Sequence, residues 1–209
     1  MNDEAKWSAR YREAGDEYLF GTEPNRFLAQ HQALFKPGQT ALSVADGEGR
    51  NSIWLAAQGL VVTASEVSEV AIAKARRLAE ARRCQVAFTQ GDMLSEQWPP
   101  REFLDAFDWV IAIFIQFADP RQRIKQFASM QAATRPGGRI LLQGYTPQQL
   151  LYGTGGPSAL EHLYTQELLR EAFAGWDIEE LVEYEDDLSE GTRHGGRSAL
   201  IGMVARKPA

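Results

Sequence analysis

The most informative stretch of the sequence is Leu42-Ser43-Val44-Ala45-Asp46-Gly47-Glu48-Gly49-Arg50-Asn51. An apolar run leads into two glycines spaced one residue apart, and a helical pattern follows. Glycine lets the backbone turn sharply and come close to a ligand, and the start of the next helix presents free N–H groups. The stretch therefore predicts a strand, a ligand-binding loop and a helix, although a plain structural turn has the same local pattern.

Strand-type and helix-type segments alternate outward from this loop. Strands are predicted over 40–45, 60–65, 85–90, 107–113 and 139–144, and helices over 51–58, 68–82, 119–134 and 166–173. Such alternation is typical of a parallel sheet with helices on both faces. The last two β-type runs, 176–184 and 198–205, are joined by an acidic, glycine-containing loop without a helix, so they should pair antiparallel. We expect an α/β fold, a Rossmann-like three-layer sandwich whose seven-stranded, mostly parallel sheet ends in an antiparallel hairpin.

The first 37 residues have a different pattern. They predict a helix over 5–12, a turn, and a second helix over 27–35 that Pro37-Gly38 ends. Because no linker-like segment follows, we expect a single domain over residues 1–209, with 1–37 as an N-terminal helical arm or lid.

Composition excludes several classes of protein. The single cysteine, Cys84, excludes an intrachain disulfide framework and a multi-cysteine metal site, so no metal is expected. The longest apolar run, 109–115, is far shorter than the roughly 20 residues that cross a bilayer, and the polar N-terminus does not resemble a signal peptide. These observations favour a cytoplasmic protein without a membrane partner.

Charge argues against a nucleic-acid partner. The net charge is −6 and the isoelectric point is near 5.2. The predicted helix over 68–82 carries basic residues that we expect to point mostly outward, and no aromatic residues interleave with them as in a nucleic-acid-binding stripe: Lys74, Arg76, Arg77, Arg82 and Arg83. We interpret them as a solvated surface.

Acidic residues follow the second and third predicted strands. Glu66, 17 residues after Gly49, stands where a carboxylate accepts hydrogen bonds from both hydroxyls of a ribose. Asp92 follows the third strand, where it could meet an adenine amine while Met93 packs on the ring. A helix-capping role for Glu66 and a plain loop role for Asp92 remain open. The glycine loop and these residues meet at one edge of a parallel sheet, which favours a nucleoside-containing cofactor.

Two classes of nucleoside cofactor fit this edge. A dinucleotide-binding loop prefers a third glycine or alanine, and Ser52 stands in that place. A dinucleotide also needs a second mononucleotide-binding half, whereas this chain ends in an expected hairpin. Both points weaken a nicotinamide-dependent oxidoreductase.

The chain resembles the class I S-adenosylmethionine-dependent methyltransferases over about residues 17–207. The motifs that carry the resemblance are 45–51, Glu66, 91–93, 107–111 and 135–139. Residues 18–25 and the tail 190–197 are similar to a small bacterial branch related to tellurite-resistance and thiopurine methyltransferases. The chain departs from the class at Ser43, where strand one usually carries an acid, and at Ala45, where alanine can replace the first loop glycine if its φ stays below zero.

The resemblance implies a role for each matching residue. Ala45, Gly47 and Gly49 would run along the methionine part of S-adenosylmethionine, with Asp46 and Asn51 in the same loop. Glu66 would hold the ribose and Val67 would lie against the adenine, whose edge Asp92 and Met93 would read. The end of strand four would lie beside the sulfonium: Ala112, Ile113 and Phe114. Arg50 and Asn51 could bind a carboxylate or simply begin the helix.

The expected reaction is methyl transfer to a small molecule by in-line displacement, which depends mainly on orientation and needs no general base when the acceptor is a thiol or a metalloid oxyanion. Candidate acceptor-side residues are Tyr18, Phe20, Tyr145, His194 and Arg197, although His194 and Arg197 could also form a solvated turn. We expect the protein to be a monomer or a homodimer. The alternatives are a non-catalytic cofactor-binding or regulatory relative and, less favoured, the oxidoreductase.

Overall fold

The computed structural model describes residues 3–191 and 194–209. Its helices are α1 (Asp3–Glu13), α2 (Arg26–Gln30), α3 (Arg50–Ala57), α4 (Glu69–Arg82), α5 (Pro120–Ala133) and α6 (Gln166–Ala172). Its strands are β1 (Thr40–Val44), β2 (Val61–Glu66), β3 (Ala87–Gln90), β4 (Phe107–Ile113), β5 (Thr134–Tyr145), β6 (Asp177–Glu190) and β7 (His194–Arg206).

One seven-stranded sheet organises the described chain, in the order β3-β2-β1-β4-β5-β7-β6. The first five strands pair in parallel, and β7 is antiparallel to both β5 and β6. The mostly parallel sheet with a C-terminal hairpin is confirmed. Because β1, β2, β4 and β5 run in the same direction, their carboxyl ends meet at one edge, where a parallel sheet binds ligands.

Strand β4 shows why the fold has three layers. Its residues alternate between two apolar clusters: Val110 and Ala112 belong to one, and Trp109 and Ile111 to the other. All four side chains are buried. A strand with both faces covered is continuously apolar, which explains why the sequence predicts its bounds, 107–113, to the residue.

The hairpin is longer than the sequence predicts. Strands β6 and β7 together cover 177–190 and 194–206, so most of the expected acidic loop is strand. Acidic side chains can lie on β6 because it is an outer strand of the sheet and has one side in water. Arg197 on β7 lies opposite Asp187 and pairs at 2.6 Å with Glu185. Residues 192 and 193, inside the 190–197 tail, lie outside the described residues.

Three further segments differ from the predictions. The second helix ends at Gln30 and continues as a 3-10 turn over Gln32–Leu34. Strand β5 begins at Thr134, because that residue pairs with Phe107 before an irregularity in the register. Lys74, expected to point outward with the arginines of α4, is buried because its ammonium group meets Glu48.

The N-terminal arm packs against the sheet domain. Tyr11 and Leu19 form a buried cluster with Ala71 of α4, and Phe27 and Leu28 join the core cluster around β1. Asn25 caps α2 by accepting a hydrogen bond from the Leu28 N–H, at 3.1 Å. Among the described residues, no helix is both long and apolar enough to cross a membrane.

Candidate functional site

A cavity of about 810 Å³ opens at the carboxyl edge of the sheet. Four groups of residues line it: the arm, the glycine loop with the start of α3, the ends of strands β2 to β5, and the segment 155–162 together with His194. In the first two groups the lining residues are Lys6, Trp7, Arg10, Tyr11, Leu19, Phe20, Ala45, Asp46, Gly47, Arg50 and Asn51. In the other two they are Glu66, Val67, Gly91, Asp92, Met93, Ile113, Phe114, Gln116, Phe117, Tyr145, Gly155, Gly156, Pro157, Ser158, Ala159, His162 and His194.

The glycine loop turns through three left-handed residues. Ala45, Gly47 and Gly49 have φ values of 47°, 61° and 91°. The condition that Ala45 keeps φ below zero is therefore not met, and this alanine holds a strained conformation. Gly49 does not line the cavity: a Cβ there would lie 2.8 Å from the Cβ of Ala75, so this glycine allows α3 and α4 to pack closely.

Asp46 orders the loop from within. Its carboxylate accepts hydrogen bonds from the hydroxyls of Ser43 at 2.6 Å and Ser52 at 2.5 Å. Burial raises the pKa of Asp46, while the two serine contacts and the charge of Arg50 oppose that shift. The missing acid of strand one is thus replaced by an acid three residues later, which reaches back to Ser43.

Glu66 faces the cavity at the end of β2. Its two carboxylate oxygens accept hydrogen bonds from the N–H groups of Gly47 and Ser68, each at 2.9 Å. Burial raises its pKa to about 7, although both N–H donors favour the charged form. Each carboxylate oxygen keeps a second lone pair, so hydroxyl groups of a ligand can still bind it.

The ends of β2 and β3 form a narrow wall beside Glu66. Val67 is half-buried, Met93 is buried, and Asp92 is exposed at the rim, where it accepts a hydrogen bond from the Leu94 N–H at 2.9 Å. Gly91 lies so close to β2 that a Cβ would be 2.7 Å from the Ser65 hydroxyl oxygen. Val67, Gly91, Asp92 and Met93 together line this side of the cavity.

The end of β4 presents Phe114 in a left-handed conformation, with φ 56°. Its N–H donates to the Gln143 carbonyl at 2.8 Å, which holds the turn in place. The ring of Phe114 stacks with Tyr145 and with His194, at centroid distances of 4.7 and 4.4 Å. Ile113 also lines the cavity, whereas Ala112 lies in the core cluster below it.

His194 is buried in this aromatic group. Its Nδ1 hydrogen-bonds the Tyr145 hydroxyl, and its ring lies 4.8 Å from that of Phe20. Burial, followed by the charge of Arg50, lowers the pKa of His194 to about 3, so the imidazole is neutral near pH 7. Burial also raises the pKa of Tyr145, which therefore keeps its proton.

Two acceptor-side candidates lie away from the cavity. Tyr18 packs its ring over the ammonium group of Lys74, at 5.3 Å, and its hydroxyl donates to the Lys74 carbonyl. Arg197 is exposed and pairs with Glu185. The structure brings together Phe20, Tyr145 and His194 from the predicted set.

Two further residues that line the cavity, Gln116 and His162, are not predicted from the sequence. Gln116 accepts a hydrogen bond from the Tyr145 N–H at 2.6 Å and donates to the His162 carbonyl at 3.0 Å. His162 is half-buried and lines the cavity beside the loop 155–159. The sequence contains one local sign of these cavity residues: Gln116 is a polar residue directly after the apolar run that continues β4.

A buried junction joins the arm, α3 and the hairpin. Arg50 pairs with Glu190 at 2.7 Å, and the second oxygen of Glu190 accepts from the Asn25 side chain at 2.9 Å. The Asn25 N–H also donates to Asn51 at 2.9 Å. These contacts bring His194, at the start of β7, to the glycine loop.

Comparisons with known proteins agree with this geometry. Residues 41–138 match the sequence family described as a methyltransferase domain. A demethylmenaquinone methyltransferase of Beutenbergia cavernae is 28% identical over 123 residues, which covers 56% of this chain. The match spans about half of that relative, 48% of its length.

Solved structures share the fold over nearly the whole chain. A protein from work on the conversion of a disulfide bond into a thioacetal group during echinomycin biosynthesis has a TM-score of 0.80, at 19% identity, covering 99% of this chain and 93% of its own. Magnesium protoporphyrin IX methyltransferase of Synechocystis, with bound S-adenosylhomocysteine, has a TM-score of 0.66, at 16% identity, covering 99% and 88%. Residues 41–138 are thus similar in sequence to a methyltransferase domain, and the chain shares the fold of these solved structures.

Proposed function

We propose that the protein transfers a methyl group from S-adenosylmethionine to a small molecule held in the same cavity. The observation that carries this proposal is a single cavity that joins the Glu66 carboxylate to the aromatic group around Phe114 and His194. Its volume, about 810 Å³, lies at the upper end of the range for small-molecule sites, so a cofactor and an acceptor can share it.

The cofactor-binding residues follow from their places around the cavity. We assign the ribose to Glu66, the adenine to the wall formed by Val67, Asp92 and Met93, and the methionine part to the turn 45–47 and the end of β4 at 113–114. Asp46 and Asn51 line the same turn. Gly49 and Ala112 support it from outside the cavity. Close backbone approach at Gly91 fits a flat adenine, because a side chain there would collide with Ser65.

When bound, S-adenosylmethionine supplies an activated methyl group, so the protein's tasks are orientation and exclusion of water. Tyr11, Leu19 and Phe20 cover one side of the cavity. Neutral His194, hydrogen-bonded to Tyr145, orients an acceptor without taking its proton. An acceptor nucleophile that is reactive without a protein base fits this arrangement.

Two alternatives are less well supported. A dinucleotide-binding loop prefers glycine or alanine at position 52, whereas here Ser52 uses its hydroxyl to bind Asp46 at 2.5 Å. The departures from the class pattern at Ser43 and Ala45 favour a non-catalytic relative. The hydrogen bonds of Asp46 to Ser43 and Ser52 supply order to the loop, so the departure at Ser43 no longer argues against a catalytic protein.

The finer assignments remain part of this proposal. The protein is related to the tellurite-resistance and thiopurine branch, and its acceptor is a small molecule rather than a nucleic acid. It is a cytoplasmic monomer or homodimer. It forms one domain over residues 1–209, with 1–37 as its arm. The packing of Phe27 and Leu28 into the core supports one domain.

Calorimetric titration with S-adenosylhomocysteine, with NADH as the control ligand, tests the proposal. We expect saturable binding of the first ligand alone. Glu66→Ala should weaken that binding by about 1–3 kcal/mol, because it removes charge-assisted contacts to two hydroxyls. The matched control is Glu80→Ala, an exposed acid on α4. Equal affinity of a folded Glu66→Ala variant would contradict the ribose assignment, and binding of NADH alone would contradict the function.

A further inference from the structure

Four flat side chains from four different segments meet on one wall of the cavity. They are Phe20 of the arm, Phe114 after β4, Tyr145 at the end of β5 and His194 at the start of β7. Tyr145 and His194 are almost parallel, at 5°, with centroids 5.8 Å apart, and Phe114 lies within 4.7 Å of both. Phe20 and Phe114 are half-buried and present ring surface to the cavity, whereas Tyr145 and His194 are buried and pack behind them.

The backbone holds this wall under strain. A left-handed conformation is sterically unfavourable for a bulky residue, and Phe114 adopts it at φ 56°. Strained residues persist where the surrounding structure fixes them, and they are concentrated at functional sites. The strain at Phe114 therefore points to selection for the position of its ring.

The same wall carries little net charge. Arg50 lines the cavity and acts electrostatically on His194, but its Nη2 pairs with Glu190 at 2.7 Å. Its Nη1 is buried and has no hydrogen-bond partner among the described residues, so this donor stays available to the cofactor carboxylate or to an acceptor atom. Lys6 and Arg10 line the cavity from α1, on the side where Tyr11 faces Glu66. His194 is neutral and Arg197 lies outside, bound to Glu185.

Oxyanions need the opposite environment, since they bind where cationic side chains and charge-assisted hydrogen bonds converge. A flat uncharged ring gains from offset stacking and edge contacts with aromatic side chains. We infer that the methyl acceptor is an uncharged, flat, ring-containing molecule that packs against Phe20 and Phe114, which Tyr145 and His194 hold in place, and that metalloid oxyanions are excluded. This inference rests on the proposed function and narrows its substrate class.

Binding of three non-reactive probes to the protein saturated with S-adenosylhomocysteine tests the inference. The probes are thioanisole, which is flat and uncharged, cyclohexyl methyl sulfide, which has similar size but is not flat, and selenite, an oxyanion. Affinities are measured by NMR titration. We expect thioanisole to bind at least about tenfold more tightly than the saturated sulfide, as an aromatic contact of 1.4 kcal/mol would give, and selenite not to saturate.

Variants locate the binding on this wall. Phe20→Leu keeps an apolar side chain but loses the ring, so thioanisole should bind more weakly when measured at a concentration of S-adenosylhomocysteine that saturates the variant. Phe88→Leu, on β3 and outside the cavity, is the matched control and should leave the affinity for thioanisole unchanged. Equal binding of the flat and saturated probes, saturable binding of selenite, or no binding of thioanisole would each overturn the inference.

The two proposals fail in different ways. If S-adenosylhomocysteine does not bind, the proposed function fails. Thioanisole titrated into the free protein then still tests whether the aromatic wall selects flat uncharged rings.

Discussion

Lys74 and Glu48 form a buried ion pair at 2.5 Å, between helix α4 and the middle of the glycine loop. Their side chains are 3% and 2% exposed. The second oxygen of Glu48 accepts from the Leu19 N–H at 2.8 Å, and the Lys74 ammonium group donates to the Glu17 carbonyl. The pair thus fastens the arm to the loop that lines the cavity.

Removing one member of this pair should be strongly destabilising. Lys74→Met leaves Glu48 buried without its cation, so the free energy of unfolding should fall by about 3–5 kcal/mol. The double variant Glu48→Gln with Lys74→Met removes both charges and should recover most of the loss. Denaturant unfolding measures both, with Arg76→Met, exposed on the same helix, as the control. Equal loss in the single and double variants would show that packing, rather than charge, is responsible.

Replacing Ala45 by glycine should stabilise the protein. Ala45 has φ 47°, and glycine adopts this conformation without steric strain. We expect the free energy of unfolding to rise by up to about 1 kcal/mol, because the greater entropy of glycine in the unfolded chain offsets part of the relief. Gly49→Ala makes the reverse substitution in the same loop. Its new Cβ would lie 2.8 Å from the Cβ of Ala75, so the free energy of unfolding should fall. A destabilised Ala45→Gly variant would contradict the assignment of strain.

Cofactor affinity should depend on pH through Glu66. Its pKa is raised from 4.5 to about 7, and ribose hydroxyls bind the charged form. Below pH 7 binding must release a proton, so S-adenosylhomocysteine affinity should fall by up to about tenfold per pH unit. Glu66→Gln should flatten this dependence, as calorimetry at several pH values will show. An unchanged slope in that variant would assign the dependence to another group, such as Asp46.

The same shift has the opposite effect on the ligand-free protein. Because Glu66 holds its proton in the folded state up to about pH 7 but releases it near 4.5 when unfolded, folding takes up a proton between these values. The contribution of Glu66 to the free energy of unfolding therefore decreases as pH rises through this window. Thermal unfolding of the wild type against Glu66→Gln isolates this contribution.

Gly91→Ala should weaken cofactor binding more than it weakens the fold. The added Cβ would lie 2.7 Å from the Ser65 hydroxyl oxygen and 3.1 Å from the Trp98 ring, so the turn that carries Asp92 and Met93 must move. We expect a loss of S-adenosylhomocysteine affinity of at least about tenfold, or 1.4 kcal/mol. Gly195→Ala, whose Cβ has ample space, is the control. Unchanged affinity would place the adenine elsewhere.

Local signals were sufficient for much of the fold. The continuous apolar run at 107–113 predicts β4, and Asp119-Pro120 predicts the start of α5, which indeed has a capping box. The hairpin was predicted too short because charged residues in sequence resemble a loop, whereas an outer strand exposes one side to water. Burial of Lys74 had no local signal, since its partner Glu48 is distant along the chain.

The site divides in the same way. Glu66 and Asp92 could be placed because they follow strands, and the carboxyl ends of parallel strands converge. Gln116 and His162 could not, because long-range contacts position the loop that carries them. Tyr18 is an aromatic residue of the kind that often lines a cavity, but its side chain lies outside this cavity because its ring packs over the ammonium group of Lys74.

The acidic face of β6 has a consequence for assembly. Its exposed positions alternate along the outer edge of the sheet: Asp177, Glu179, Glu183, Glu185, Asp187 and Ser189. If β6 of a second copy lay alongside, like charges would stand close together across the new strand pair, which is unfavourable. Charged residues on an edge strand protect a sheet from extension and aggregation. Pairing of two copies through this edge of the sheet is therefore disfavoured.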